Sequence, residues 1–324
     1  MKAIVFARYG TADDLQLREV EQPSPTDDEV LIKVHAVSIN DWDWGILQGI
    51  PFSNRMTFGL LRPRRHILGS DVAGRVEAVG RKVEKLRPGD EVFGDLSGRW
   101  GGFAEYVCAR EDALVGKPTG MTFVEAAAIP QAATLALQGL RDKGRIERGQ
   151  RILINGAGGG VGTFGVQLAK LYEAEVTGVD STGKLDMLRS IGFDHVVDYT
   201  QEDFTRRGER YDLILDVKTN RPLRDYLRVL NPGGTYVTVG GASWPIAKVM
   251  LLKPLVSLIR KKRAVLVFLK LNKDLDYICE LYEAGKLRPV IDGPYGLGEV
   301  PEAMRHFAEG KHKGKVVISL EGSD

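Results

Sequence analysis

The sequence predicts an α/β protein made of a β-rich, barrel-like region and a doubly wound parallel sheet. Three observations carry this. Up to about residue 120 the chain reads as short apolar strands divided by Gly, Pro and Asp. Beyond that point strand and helix patterns alternate, as successive βαβ units do. Between Arg151 and Asp180, RILINGAGGGVGTFGVQLAKLYEAEVTGVD spells a strand, a glycine-rich turn, a helix and a second strand.

The elements follow in order. KAIVFA, EVLIKVHAVS, DVAGRVEAVG, DEVFG and GGFAEYVCA are the strands of the first region. Near Thr122 the pattern turns helical, in TFVEAAAIPQAATLALQGL, with Thr122 as N-cap and Glu125 completing a capping box. ILIN, EVTGV, HVVDY, DLILDV and TYVTVG then alternate with the helical VGTFGVQLAKLY, KLDMLRSI and PLRDYLRVL. A last helix, DLDYICELYEAG, leads to a tail whose closing strand, KVVISL, is expected to rejoin the first region. The expected domains are therefore residues 1–121 completed by 287–324, and residues 122–286. Such a split arrangement places a cleft between the halves, where a cofactor could meet a substrate.

The glycine-rich turn is the most specific signal. Gly156, Gly159 and Gly162 are spaced by three, with Gly158 and Gly160 between them. A turn this bare lets the backbone approach a pyrophosphate, and the helix it opens aims free N–H groups at the negative charge. Asp180 ends the second strand near the spacing of a ribose-binding acid. These residues predict a dinucleotide site of the nicotinamide type.

Gross properties agree with an enzyme. Lys+Arg 45 against Asp+Glu 43 gives a net charge of +2, too small to point to nucleic acid. Two cysteines, Cys108 and Cys279, cannot build a disulfide framework. The N-terminus enters a strand pattern directly, without a signal-peptide pattern, so a cytoplasmic location is expected. Trp244 to Lys270 is unusually apolar, but Lys253 and Pro254 interrupt it short of the roughly 20 residues a spanning helix needs. It reads as a helix over the active-site mouth or a subunit contact, followed by a buried strand. The alternative is contact with an anionic membrane through Arg260–Arg263; a membrane partner is not the expectation.

Gly69-Ser-Asp71-Val-Ala-Gly74-Arg-Val76-Glu-Ala-Val79-Gly80, with Pro88-Gly89-Asp90-Glu91-Val92, resembles the signature of medium-chain dehydrogenases/reductases. The turn Asn155 to Gly162, HVVDY, and the closing GKLRPVID and KGKVVISL are similar to their quinone oxidoreductase branch. The resemblance covers nearly the whole chain. It implies a GroES-like substrate domain, a Rossmann domain, and a homodimer.

Zinc-dependent relatives place a cysteine where this chain has Asn40, and a His-Glu pair where it has Ser70-Asp71. The four-cysteine lobe of those relatives is missing too, and the five histidines show no metal-ligand spacing. No zinc is expected. Without a Lewis acid, oxidation of a simple alcohol lacks a stabiliser for the alkoxide. Reduction of a quinone or enone fits better, because conjugation spreads the charge left by hydride transfer.

For the hydrogen-bond donor to that charge, the resemblance points to Asn40, which could alternatively only cap the turn before DWDWG. Trp42 and Trp44 could wall a flat acceptor or simply pack the domain. Trp44-Gly45 stands where many relatives carry a tyrosine, so tyrosine-assisted proton transfer is not expected. Thr134 matches a threonine that contacts the nicotinamide, and Gly156, Ala157, Gly159, Gly160, Val161, Gly162 and Gly240 complete the cofactor set.

Coenzyme choice divides the residues. Asp180 sits where an NAD site holds the ribose 2′-OH, and would repel a 2′-phosphate by roughly 4 kcal/mol per charge pair at about 4 Å in an effective dielectric of 20. Ser181, Lys184 and Tyr199 match the 2′-phosphate and adenine side of NADPH-using relatives, provided that Asp180 turns away. NADPH is the expectation, with NADH as the alternative. The expected activity is zinc-independent, NADPH-dependent reduction of a quinone or α,β-unsaturated carbonyl. Two alternatives stay open: an NAD-dependent alcohol dehydrogenase-like enzyme, and a non-catalytic cofactor-binding or membrane-associated partner protein.

Overall fold

The structure, a computed structural model, describes residues 1–64, 66–240 and 262–321. The chain divides into two compact units: Met1–Gln131, Leu271–Glu283 and Ile291–Asp324 form one, Ala132–Lys270 and Ala284–Val290 the other. These limits differ from those expected from sequence, and hydrogen bonds explain why. The amide of Gln131 donates to Asp71, and Asn272 bonds both the N–H and the C=O of Asp95, which ties these segments to the β-rich unit. Arg288 is held at both its backbone N–H and C=O by the Gln167 side chain, which ties the 284–290 segment to the parallel-sheet unit.

In the β-rich unit, β1 (Lys2–Val5) and β2 (Gln16–Glu19) pair antiparallel. The larger sheet is organised by β3 (Glu29–Ser38). It pairs antiparallel with β4 (Asp71–Val79), and β4 continues to β5 (Glu91–Asp95). The first half of β3 also pairs β6 (Tyr106–Arg110), and β5 pairs the short β7 (Val115–Gly116). Val30, Ile32, Val34, Val37, Val72 and Val76 sit in one core cluster, as half-buried alternating strands require. After β3 come helix α1 (Asp41–Gln48) and helix α2 (Phe52–Phe58).

The helical stretch beyond Thr122 is broken. Thr122 caps α3 (Phe123–Ala127), with the expected reciprocal bonds to Glu125. Pro130, which lacks an N–H, starts a new helix, α4 (Pro130–Leu137), that continues as a π-wound segment over Gln138–Gly144.

Among the described residues the other unit holds six parallel strands: β8 (Arg151–Asn155), β9 (Glu175–Asp180), β10 (His195–Asp198), β11 (Tyr211–Asp216), β12 (Leu230–Thr238) and β13 (Arg263–Leu266). Their order is β10-β9-β8-β11-β12-β13, the doubly wound order of a Rossmann sheet, which reverses direction between β8 and β11. Ile152, Leu153, Ile154, Ile214 and Leu215 are fully buried, as strands covered on both faces must be. Helices α5 (Gly160–Lys170), α6 (Leu185–Ser190) and α7 (Leu223–Arg228) connect them. Residues 241–261 of the apolar-basic segment lie outside the described residues; its end forms β13, half-buried at the sheet edge rather than enclosed.

The tail returns as expected. After α8 (Leu275–Glu283) come β14 (Ile291–Gly296), α9 (Val300–Ala308) and β15 (Lys315–Ser319), and β15 pairs antiparallel with the end of β3.

Candidate active site

In the parallel-sheet unit the glycine turn follows β8 at the point where the strand order reverses. Gly156 has φ +82°, which a side chain would resist, and its N–H and that of Ala157 donate to Val179 O at 3.0 and 3.1 Å. A Cβ on Gly162 would lie 2.4 Å from Ala157 O, so only glycine lets α5 begin this close to the turn. The first-turn N–H groups of α5, on Gly160, Val161 and Gly162, have no acceptor within the helix and form an anion cradle. Beneath it, Asn155 Nδ2 donates to Asp216 Oδ1 (2.8 Å) and Tyr226 Oη (3.1 Å), and Tyr236 Oη donates to Asp216 Oδ2 (2.6 Å). Burial and the Asp216 charge push both phenols well above the usual tyrosine range, so they stay donors. The sequence reading missed this support, whose signal is the polar residue ending each of β8 and β11.

Of the residues expected to bind the cofactor, Asp180, Ser181 and Lys184 are tied to the turn by hydrogen bonds and charge. Asp180 Oδ2 accepts from Gly158 N at 2.7 Å, its Oδ1 accepts from Ser181 N at 2.9 Å, and Lys184 Nζ stands 3.7 Å from Oδ1. Asp180 therefore faces the turn instead of turning away, the condition attached to NADPH in the sequence reading. The reason is local: a carboxylate at a strand end finds two backbone donors and an ammonium there. Tyr199, half exposed, is tied to the same place by its N–H to Asp180 O at 3.1 Å. Gly240 O accepts from Thr238 Oγ1 at 3.1 Å and from Thr219 Oγ1. Thr134, on α4, is fully buried and its Oγ1 has no hydrogen-bond partner among the described residues. An orphaned buried hydroxyl and a cradle that admits no side chain both fit a bound nicotinamide dinucleotide.

In the β-rich unit, β3 delivers Asn40 to the N-cap position of α1. The reading of Asn40 as a cap holds for its backbone. Its N–H donates to Asp43 Oδ2 at 2.9 Å, the backbone bond of a helix start. Its side chain faces elsewhere: Oδ1 accepts from Lys315 Nζ at 2.5 Å, and Nδ2 donates to Ser70 Oγ at 3.3 Å. Lys315 Nζ also reaches Asp71 Oδ2 at 3.3 Å. Thus the three positions that hold a cysteine and a His-Glu pair in zinc-dependent relatives carry an amide, a hydroxyl and a carboxylate gathered around an ammonium. This set does not fit a zinc ion, which a buried ammonium would repel. Among the described residues no group of three or more His, Cys, Asp and Glu is arranged to hold a metal.

Burial pushes the Asp43 carboxyl up to about 7, against the N–H groups of Gly69 and Asn40 that favour its charge. Burial likewise pushes Asp71 up to about 6, with Lys315 opposing. The two tryptophans part company. Trp44 packs against the core of the unit, whereas Trp42 is 48% exposed and tilts towards Trp100 at 6.4 Å between ring centroids. Sequence reasoning missed Lys315 and Asp43. Asp43 had a signal, an acid three residues after the helix cap; Lys315, in KGKVV, looked like any surface lysine.

Comparisons with known proteins show the family. Residues 26–119 match the alcohol dehydrogenase GroES-like domain, and residues 191–318 match the family described as zinc-binding dehydrogenase. The chain is 34% identical to a 2-methylene-furan-3-one reductase of Solanum lycopersicum, over 98% of this chain and 79% of that protein. It is 33% identical to an NADPH-dependent alkenal/one oxidoreductase, chloroplastic, of Arabidopsis thaliana, over the same shares of each. The solved quinone oxidoreductase from Coxiella burnetii superposes with a TM-score of 0.88 at 28% identity, over 99% of both chains. The Rossmann strand order, the glycine cradle and these likenesses place the chain in the medium-chain dehydrogenase/reductase family, within its quinone oxidoreductase branch.

Proposed function

We propose that this chain is a zinc-independent, NADPH-dependent oxidoreductase that reduces a quinone or an α,β-unsaturated carbonyl. The observation that carries the reading is the cradle of Gly156 to Gly162, with Ser181 and Lys184 beside it. Bound NADPH supplies the hydride. The first-turn N–H groups of α5 hold its pyrophosphate, and Thr134 Oγ1 bonds the nicotinamide amide. Ser181 and Lys184 hold the 2′-phosphate by hydrogen bond and charge, while Gly158 N–H, Ser181 N–H and Lys184 keep Asp180 compensated. With hydride delivered to the electrophilic carbon, the electron pair would move to the conjugated oxygen. Asn40 Nδ2–H stabilises that oxygen and water supplies the proton. Trp42 offers a face to a flat acceptor.

A second reading rests on one observation: Asp180 faces the turn, where a ribose 2′-OH would meet it, which favours NADH. Steady-state rates with NADPH and NADH over a panel of quinones and enones decide. Strong NADPH preference with any acceptor supports the first reading, and NADH preference makes Asp180 the ribose ligand. Elemental analysis of the active protein tests the zinc-free assignment; stoichiometric zinc overturns it. A homodimer, which the family resemblance implies, is tested by light scattering, and a cytoplasmic location by cell fractionation, several relatives being named chloroplastic or mitochondrial.

A further inference from the structure

The β-rich unit buries an ammonium among carboxylates, and its position decides the orientation of Asn40. Lys315 is 4% exposed and begins β15, whose pairing with β3 brings Nζ to the end of that strand. There Nζ meets Ile39 O at 3.2 Å, Asn40 Oδ1 at 2.5 Å and Asp71 Oδ2 at 3.3 Å. An ammonium has three protons and no lone pair, so each of these partners must be an acceptor. The atom of Asn40 that faces Lys315 is therefore the oxygen. The NH2 end is fixed by elimination: its hydrogens face Ser70 Oγ and the Asp71 carboxyl, acceptors with which a ligand's oxygen would exchange. An amide without this clamp could turn over and present an acceptor to developing negative charge. Withdrawal of electron density through Oδ1 also makes Nδ2–H a stronger donor.

The geometry points to Lys315 as the positioning residue for Asn40: its ammonium holds the amide so that an N–H, not the oxygen, meets the anion formed in the reduction. This rests on the reductase reading above. It is independent of cofactor binding, which belongs to the other unit's residues.

The test exploits how far charge has moved in the transition state. Hydride transfer to a quinone is strongly downhill and reaches its transition state early, with little charge on oxygen. Transfer to a simple acyclic enone is less downhill and later, with more. An interaction felt only in the transition state must then matter more for the enone. Lys315→Met alone leaves Asp71 buried and unpaired, so it is combined with Asp71→Asn and read against Asp71→Asn alone.

In that background kcat for the enone should fall about 10- to 100-fold, kcat for a para-quinone by much less, and NADPH affinity by less than about twofold. Lys315→Arg, which keeps the charge and the donors, should hold the enone-to-quinone ratio near that of the wild type. Lys315→Gln with Asp71→Asn is a gentler replacement, read in the same way if the methionine version does not fold. An equal fall for both acceptors, no fall, or failure of both double variants to fold would overturn the proposal and leave Lys315 a purely structural residue. A wild-type chain that reduces neither acceptor would overturn the reductase reading instead.

Discussion

At the scale of one side chain, the backbone of Asn40 starts a helix while its amide is held by another strand, and the proposed donor role of that amide is open to test. Asn40→Ala should lower kcat by about 10- to 100-fold, with little change in the affinity for NADPH measured by fluorescence titration. Unchanged turnover would remove Asn40 from the mechanism. Lys184 is the residue proposed to set coenzyme choice. Lys184→Ala should weaken NADPH by about tenfold or more while leaving NADH nearly unaffected, because only the 2′-phosphate needs the charge; equal losses would place the phosphate elsewhere. The buried Asp43 adds a pH dependence. Its folded pKa, about 7, lies above the unfolded value of 3.8, so the native state holds a proton that the unfolded chain has released. Stability should fall as pH rises from about 4 through 7 and level off above. Asp71, raised to about 6, contributes with the same sign, and Lys315 opposes both. Urea midpoints from pH 5 to pH 8 should decline in the wild type and decline less in Asp43→Asn; identical slopes would show that Asp43 does not titrate there. Residues whose types carry a local meaning, such as Gly156, Asp180 and Asn40, were legible in the sequence. Lys315 was not, since its meaning comes from a partner across the sheet.

Among elements, the turn between β8 and α5 is the most constrained. A Cβ on Gly162 meets the backbone oxygen of Ala157 at 2.4 Å, whereas one on Gly158 meets Lys184 Cδ at 2.5 Å, an atom of a flexible chain. Gly162→Ala should therefore cost about 1–3 kcal/mol of stability and abolish dinucleotide binding. Gly158→Ala should fold normally and disturb mainly the preference between NADPH and NADH, through the displaced Lys184. Calorimetry and coenzyme titration of both variants check the contrast; equal stability losses would contradict it. Strands and helices with a clear period were legible here, from EVLIKVHAVS to KVVISL. What escaped were changes of winding, such as the restart of the helix at Pro130 and the π-wound Gln138–Gly144. These are set by a missing donor and by tertiary packing, which a 3.6-residue period does not encode.

At the scale of the whole molecule, the split of the β-rich unit across the chain was legible from one closing strand, but its limits were not. The bonds that fix those limits, Gln131 to Asp71 and Asn272 to Asp95, join residues far apart in sequence. Removing residues 311–324 should leave one edge of the end of β3 unpaired, since β15 pairs Ala36, Val37 and Ser38 on the side away from β4. The shortened chain should be largely insoluble, or cleaved by protease within residues 1–131; a soluble, protease-resistant product would contradict the role given to β15. The same strand governs how the protein is made. Lys315 and Asn40 are 275 residues apart, so at about 5–20 residues per second a ribosome needs about 15–55 s to deliver one after the other. Ala132–Lys270, an unbroken stretch, is available to fold during that wait. Until Lys315–Ser319 has been made, one edge of the end of β3 lacks its strand partner and the acidic side chains beside it lack their counter-ion. A chaperone that shields nascent β-edges would act on this chain first at its N-terminal third.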